Sequence, residues 1–126
     1  MHKSRLAGFI IDCNTDDLHD GANFWSRALG APVKSREKPH ENLYVGLEMP
    51  ADEPYVELQK VGHESRVHLD IESDDIEAEV ERLVGLGAKK IAAIRTWVVL
   101  EAPTGHRFCV VPVQSRDFAS KAHSWK

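Results

Sequence analysis

The chain of 126 residues has only two cysteines and no long apolar run. A membrane helix takes about 20 consecutive apolar residues, so we expect no membrane-spanning segment. Cys13 and Cys109 lie in apolar, strand-like stretches, which is typical of buried thiols and not of a disulfide framework. The opening stretch MHKSRLAGFIIDC lacks a long apolar segment followed by a small-residue cleavage site. These absences predict a protein of the reducing cytoplasm.

An excess of positive charge is also missing. The chain has 16 basic and 20 acidic residues, intermixed, for a net charge of −4. Nucleic-acid binding needs a basic stripe or patch, so we expect no nucleic-acid partner. Neither a glycine-rich phosphate loop nor a Ser–His–Asp motif is recognisable. With 42% hydrophobic residues, a chain of this length can bury the core of one ordinary domain.

The sequence repeats itself at an offset of 58 positions, the distance from Asp12 to Asp70. At this offset residues 10–25 align with residues 68–83. In both stretches apolar residues recur at i, i+4 and i+7, the spacing of one helical face. These positions are Leu18, Ala22 and Trp25 in the first copy, and Ile76, Val80 and Leu83 in the second. The repeat predicts an internal duplication in which each half begins with a strand and an amphipathic helix.

Aspartates precede both predicted helices, as Asp16 and Asp17 in the first half and as Asp74 and Asp75 in the second. Carboxylates at a helix start accept hydrogen bonds from free N–H groups and interact favourably with the helix dipole. We therefore interpret these aspartates as helix caps and not as a calcium or magnesium site. In the second half, the spacing of Asp74 and Glu77 predicts a capping box.

Short extended segments separated by turn residues follow each helix. They cover residues 32–36, 43–48 and 55–61 in the first half, and 89–94, 97–101 and 107–113 in the second. The repeating unit is therefore βαβββ, and the predicted fold class is α+β. The polar tail of residues 115–126 is predicted to be a short helix or disordered.

Five stretches carry a family resemblance, and they are FIIDC, NFWSRALGA, YVELQKV, RVHLDIESDDIEAEVERLVGLGAKKI and WVVLEAPTGHRFCVV. In this order, over residues 9–113, they resemble the small bacterial glyoxalase-like domains of the vicinal oxygen chelate superfamily (glyoxalase/bleomycin resistance/dioxygenase type). The resemblance implies two tandem βαβββ modules that form a curled mixed sheet around a cavity, and commonly a homodimer. It predicts one domain over residues 1–114, with modules at about 6–62 and 65–114, and a tail over 115–126.

The resemblance also implies metal positions on the first and last strand of each module. These positions correspond to Ile10, Glu57, His68 and Cys109, of which Ile10 cannot bind a metal. Glu57, His68 and Cys109 remain as candidate ligands for one divalent ion such as Zn, Ni, Fe or Mn, held weakly, and the alternative is that no metal binds. Each of the three also has a purely structural interpretation, from a hydrogen-bonded or solvated polar side chain to a buried thiol.

His68 lies in the stretch RVHLDIESDD, where apolar and polar residues alternate. The alternation places Val67, Leu69 and Ile71 against the helices and His68 on the opposite face. His68 and Glu57 are candidate catalytic residues.

The candidate ligand-binding residues are polar or aromatic side chains of predicted strands: Asp12, Gln59, Asp70, Tyr44 and Trp97.

Three functions fit this pattern. The first is a small-molecule-binding protein with a pocket between the modules and no firm metal requirement. The second is a metal-dependent lyase, isomerase or dioxygenase in which the ion polarises a substrate carbonyl or stabilises an enolate oxygen. The third is a drug-sequestering resistance protein in which Trp97 and Tyr44 stack on an aromatic ligand.

Overall fold

The structure is a computed structural model that describes residues 1–34 and 43–126. The chain divides into two compact units. The first unit is Gly8–Val67, and the second unit combines Met1–Ala7 with His68–Lys126. Residues 35–42 of module one lie outside the described residues. They include residues 35 and 36, the last two of the predicted segment 32–36.

The first unit follows the predicted order of strand, helix and strands. Its elements are the second half of β1 (His2–Cys13), α1 (Leu18–Leu29), β2 (Tyr44–Leu47) and β3 (Tyr55–Lys60). Strand β1 pairs in parallel with β3, and β3 pairs with β2 in antiparallel fashion. Among the described residues, the strand expected at 32–36 is reduced to one bridge between Val33 and Leu47.

The second unit contains a complete βαβββ module and a structured tail. Its elements are the first half of β1, then β4 (Arg66–Ser73, whose first two residues belong to the first unit), α2 (Ile76–Gly85), β5 (Lys89–Ile94), β6 (Trp97–Glu101), β7 (Arg107–Pro112), α3 (Phe118–Lys121) and β8 (His123–Trp125). Strand β4 pairs in parallel with β7, which continues through β6 to β5 in antiparallel pairs. Strand β8 pairs with the start of β1. The predicted α+β class is confirmed, and none of the described helices has the length and apolar character needed to cross a bilayer.

Aspartates cap both long helices, although not with the predicted residue in each case. Asp17 accepts hydrogen bonds from two backbone N–H groups of the first turn of α1. Helix α2 is capped by Asp75, which accepts from the N–H of Ala78 at 3.1 Å. The predicted capping box of Asp74 and Glu77 is therefore wrong by one residue, because the Asp74 carboxylate accepts instead from the N–H of Lys3 at 2.8 Å.

Each unit has its own apolar core between its long helix and one face of its strands. The first core consists of Leu18, Ala22, Ala31, Val45, Leu47, Val56 and Leu58. The second consists of Val80, Ala88, Leu100, Phe108 and Val110, with Ile71 packed against it. Because strand side chains alternate, the polar residues between these apolar positions lie on the face opposite the helix.

Glu79, fully buried on α2, accepts hydrogen bonds from the beginning of the chain and from its own helix. Its donors are Arg82 at 2.7 and 2.9 Å, His2 at 2.8 Å and Ser4 at 2.8 Å. The indole N–H of Trp125 donates to the same Ser4 hydroxyl at 2.8 Å. These contacts fix β1 and the final strand β8 to helix α2.

Glu72 at the end of β4 is also fully buried and holds the start of the tail. It accepts hydrogen bonds from the Arg5 guanidinium at 2.9 Å, from the N–H of Gln114 at 2.7 Å and from Ser115. Arg5 also donates to Asp117 at 2.8 Å. Of the two alternatives predicted for residues 115–126, a short helix or disorder, the structure shows the short helix, α3. Helix α3 begins directly after these contacts.

The hydrogen bonds to these two buried carboxylates control their protonation. Burial alone would raise the pKa of Glu72 and of Glu79, but the donors outweigh burial and lower both pKa values below 4.5. A folded-state pKa below the unfolded value means that the ionised group stabilises the fold at pH values above about 4.5, and that this stabilisation is lost as the pH falls through the lowered folded pKa.

We predict that Glu79→Gln lowers the free energy of unfolding at neutral pH by about 1–3 kcal/mol, because it removes the charge that Arg82 neutralises and leaves buried donors poorly paired. The deficit relative to the wild type should shrink as the pH falls below about 4.5. Urea unfolding at a series of pH values measures it, with the exposed Glu77→Gln on the same helix as the matched control. Equal deficits at neutral and acidic pH would contradict the assignment.

Candidate functional site

The polar face of β4 carries three side chains of increasing burial. His68, Asp70 and Glu72 alternate with Ile71, which packs against the core under helix α2. The three polar side chains therefore lie on the face opposite this helix. The His68 side chain is 13% exposed, Asp70 is buried and Glu72 is fully buried. The His68 end of the row is therefore the more exposed one, and the Glu72 end is closed.

The apolar face of β4 is less covered than the sequence pattern predicts. Ile71 packs as expected, but Leu69 is 42% exposed and Val67 is 55% exposed. The expectation that all three pack against helices is wrong for these two. Helix α2 packs against β5, β6 and β7.

His68, Asp70 and Cys109 form one cluster in the second unit. A ligand atom from each, namely an imidazole nitrogen, a carboxylate oxygen and the thiol sulfur, lies within 4.8 Å of the other two. His68 Nε2 and Asp70 Oδ1 are 3.6 Å apart, which is longer than an ordinary hydrogen bond. Cys109 is directly opposite Asp70 in the parallel ladder between β4 and β7. The backbone register therefore brings together three groups of different chemistry.

Two ion pairs flank this cluster on the same face of the strands. Glu72, two residues beyond Asp70, is neutralised by Arg5. On the other side, Arg107 Nε lies 3.1 Å from Glu101 Oε1 across the pair of β6 and β7. Each flanking charge thus has a partner of opposite sign.

In the first unit, the predicted ligand-binding residues form a row across three strands. Asp12 is opposite Gln59 in the pair of β1 and β3, and Gln59 is opposite Tyr44 in the pair of β3 and β2. The Gln59 side-chain amide donates to the Tyr44 hydroxyl at 3.2 Å. The structure thus brings these three together, and it places Asp70 and Trp97 in the second unit.

The strand registers correct one equivalence between the two halves. The family resemblance equates Glu57 with Cys109 as last-strand positions. In the structure Asp12 is opposite Gln59, and its repeat partner Asp70 is opposite Cys109. Cys109 therefore corresponds to Gln59. A shift of two residues keeps every side chain on its face, so alternation alone could not detect it.

The predicted metal ligands are divided between the units. His68 and Cys109 belong to the cluster in the second unit, whereas Glu57 is part of the first unit, opposite Ile10. Among the described residues, the group able to hold a metal contains Asp70 in place of Glu57. Asp70 was foreseen as a ligand-binding residue, and its i, i+2 spacing from His68 was the available signal for a shared site.

Trp97 lies half-buried at the start of β6. It has the same strand parity as Val99, which is opposite Cys109 in the register of β6 and β7. The indole therefore belongs to the face that carries the cluster. The stacking of Trp97 and Tyr44 on an aromatic ligand stays a prediction.

A pocket of about 380 Å³ opens in the first unit beside the N-terminal part of α1. Its lining includes Trp25, Asp12 and Arg66, whose Nε lies 3.9 Å from Asp12 Oδ2. Arg66 is 48% exposed, so this ion pair adds little stability. Arg66 was not foreseen, since a lone arginine at a strand start carries no distinguishing spacing.

The two cysteines have different surroundings. Burial, and after it the negative charge of Asp12, raises the pKa of the Cys13 thiol and disfavours its thiolate. Cys109 is buried beside an imidazole and a carboxylate. Cys13 therefore provides an internal comparison for the chemistry of Cys109.

In both units the first and last strands of the module pair in parallel and carry their polar face opposite the helix, as the vicinal oxygen chelate fold requires. The glyoxalase-like domain family matches residues 8–111, and the chain belongs to this family. No curated protein is similar enough to the chain to count as a match.

Solved structures share this fold at low sequence identity. A hypothetical protein from Bacillus halodurans C-125 is 15% identical with a TM-score of 0.65, covering 90% of this chain and 96% of that one. Methylmalonyl-CoA epimerase from Mycobacterium tuberculosis is 16% identical with a TM-score of 0.64, covering 86% and 88%. A glyoxalase/bleomycin resistance protein/dioxygenase superfamily member from Vibrio splendidus 12B01 is 24% identical with a TM-score of 0.52, covering 85% and 98%. Identities this low establish a common fold and leave the activity open.

Proposed function

We propose that the protein binds a small organic molecule on the face of the second unit opposite α2, at His68, Asp70 and Cys109. The observation that supports this most is the convergence of an imidazole, a carboxylate and a thiol within 4.8 Å, on strands that need none of them for the apolar core. Superfamily membership adds to it, because relatives commonly bind small molecules. The binding role needs no metal.

The chemistry of the cluster suggests the kind of molecule. The His68 imidazole can donate or accept a hydrogen bond, and the Asp70 carboxylate can orient the imidazole or accept a hydrogen bond from a ligand. Trp97 on the same face offers a flat apolar surface. A compound with a carbonyl or hydroxy-acid group attached to a small apolar body fits these groups.

A second candidate function is a metal-dependent lyase, isomerase or dioxygenase. The observation that favours it is again the cluster, since His, Asp and Cys all supply metal-ligand atoms. A bound divalent ion would act as a Lewis acid toward a substrate oxygen. Hydrogen bonds from Ser115, Gln114 and Arg5 keep Glu72 ionised and occupied, so this carboxylate does not compete for the site.

Ligand binding is tested with metal-free protein, prepared with a chelator, and a panel of small carbonyl and hydroxy-acid compounds followed by ligand-observed NMR. We expect at least one compound to bind and His68→Ala to abolish binding. The free energy of unfolding should change by no more than about 1 kcal/mol, because His68 lies outside the apolar core.

The control is His106→Ala, a histidine of an exposed turn, which should bind like the wild type. His68→Gln is a second variant that preserves side-chain volume. If no compound binds the wild type, or if binding survives both His68 variants, the proposed site is wrong.

We also propose that the protein acts as a homodimer, as members of this superfamily often do. Apolar side chains of the second unit support this, since Leu69 is 42% exposed and Leu86 is 68% exposed in the single chain. We expect light scattering at micromolar concentration to give twice the mass of one chain. A mass equal to one chain throughout that range would contradict the dimer.

A further inference from the structure

We propose that the pocket of the first unit binds a free α-amino acid with an aromatic side chain, held by Arg66, Asp12 and Trp25. The ligand carboxylate pairs with the Arg66 guanidinium, the ligand ammonium pairs with the Asp12 carboxylate, and the aromatic side chain lies against the Trp25 indole. The residues that line the pocket all belong to the first unit. It is therefore a second binding site, independent of the cluster at His68.

Two opposite charges lie side by side in this pocket. Arg66 Nε is 3.9 Å from Asp12 Oδ2, which is longer than a direct hydrogen bond. The Asp12 side chain is 3% exposed and that of Arg66 is 48% exposed. The pocket thus offers a negative group that is buried beside a positive group that is accessible. In an α-amino acid the ammonium and the carboxylate share one carbon atom, so a ligand of this class presents two adjacent charges of complementary sign.

Both charged groups have the capacity to hold a ligand in addition to their present contacts. A guanidinium has five N–H donors and a carboxylate has about four acceptor sites. Arg66 Nη2 also lies 3.3 Å from His63 Nε2. Ser65, a further lining residue, accepts the backbone N–H of Asn14 on its hydroxyl at 3.0 Å, so its O–H can donate to the ligand carboxylate. A zwitterion can therefore bind without displacing Asp12 from Arg66.

The rest of the pocket is suited to an aromatic side chain. Its wall includes Ile11, Trp25 and Val67, and Val67 is 55% exposed in the single chain. Trp25 packs against the core of the first unit, and Phe24 contacts it edge-on with ring centroids 5.1 Å apart at 87°. These contacts orient the indole before a ligand binds. The volume of about 380 Å³ lies within the range of small-molecule pockets, about 300–1,000 Å³.

Gly21 on helix α1 keeps one wall of the pocket open. A glycine inside a helix is destabilising relative to alanine. Packing does not require it here, because an added Cβ would meet only Leu58 Cδ2, at the ordinary contact distance of 3.8 Å. Gly21 lines the pocket, so the space that a side chain would fill is part of the cavity.

The test is a calorimetric titration of the full chain with L-phenylalanine. We expect one molecule to bind per chain. Two analogues each lack one charged group: 3-phenylpropionate has no ammonium, and 2-phenylethylamine has no carboxylate. Each should bind at least about tenfold more weakly, because a hydrogen-bonded charge pair is lost and one charged group of the pocket then faces the ligand without a counterpart.

Variants locate the site within the molecule. Arg66→Ala and Asp12→Asn should each weaken phenylalanine binding by at least about tenfold, and Gly21→Leu should block the pocket. The matched controls are Arg27→Ala and Asp20→Asn, exposed residues of helix α1 outside the pocket lining, which should bind like the wild type. Far-UV circular dichroism verifies folding, and the exposed Arg66→Ala decides the question if Asp12→Asn does not fold.

Cys13 supplies a readout that needs no variant, because its side chain lines the same pocket. We expect bound phenylalanine to slow the alkylation of Cys13 by iodoacetamide, followed by mass spectrometry of the Cys13 peptide. The inference is overturned if phenylalanine does not bind, if either analogue binds equally well, if Arg66→Ala leaves binding unchanged, or if bound phenylalanine leaves Cys13 unprotected. The hydroxy-acid and carbonyl compounds are tested at His68 in separate titrations, so either site can fail without the other.

Discussion

Strand β4 pairs in parallel with β7, and this ladder determines what the second unit can bind. The register sets Asp70 opposite Cys109 and directs both side chains away from helix α2. The same alternation sends Phe108 and Val110 into the core. Packing of the apolar face thus fixes the phase of the polar face, because a slip of one residue would reverse both. The candidate site is a consequence of how the core is built.

The two buried glutamates, Glu72 and Glu79, close the part of the second unit in which no ligand is expected. Glu72 and Glu79 collect donors from the beginning and from the end of the chain. The second unit therefore depends on residues that are distant in sequence, such as Arg5 and Ser115. Asp70, two positions before Glu72, lies at the boundary between this closed network and the accessible end at His68.

Much of the fold was predictable because it rests on short-range periodicity. The 58-residue repeat and the i, i+4, i+7 apolar positions located α1 and α2, and alternation located β4 to β7 closely. The face that carries His68 was predictable in the same way. The exposure of Leu69 was not, because alternation says which face a side chain is on and not how far a helix extends over it.

The composition of the site was less accessible to sequence reasoning. Pairing Glu57 with Cys109 was wrong by two residues, a shift that leaves the period of a strand unchanged and appears only in the ladder. Glu79 was missed because a charged residue beside the apolar helix stripe normally faces solvent. Its burial depends on Ser4 and His2, which no local pattern connects to it.

The most direct test of the account is a crystal structure of the protein soaked with a carbonyl or hydroxy-acid compound that binds it in solution. The account predicts the compound in contact with His68, Asp70 and Cys109, on the face of the second unit opposite α2. A well-ordered structure with the compound bound elsewhere, such as in the pocket lined by Trp25 and Arg66, would contradict it.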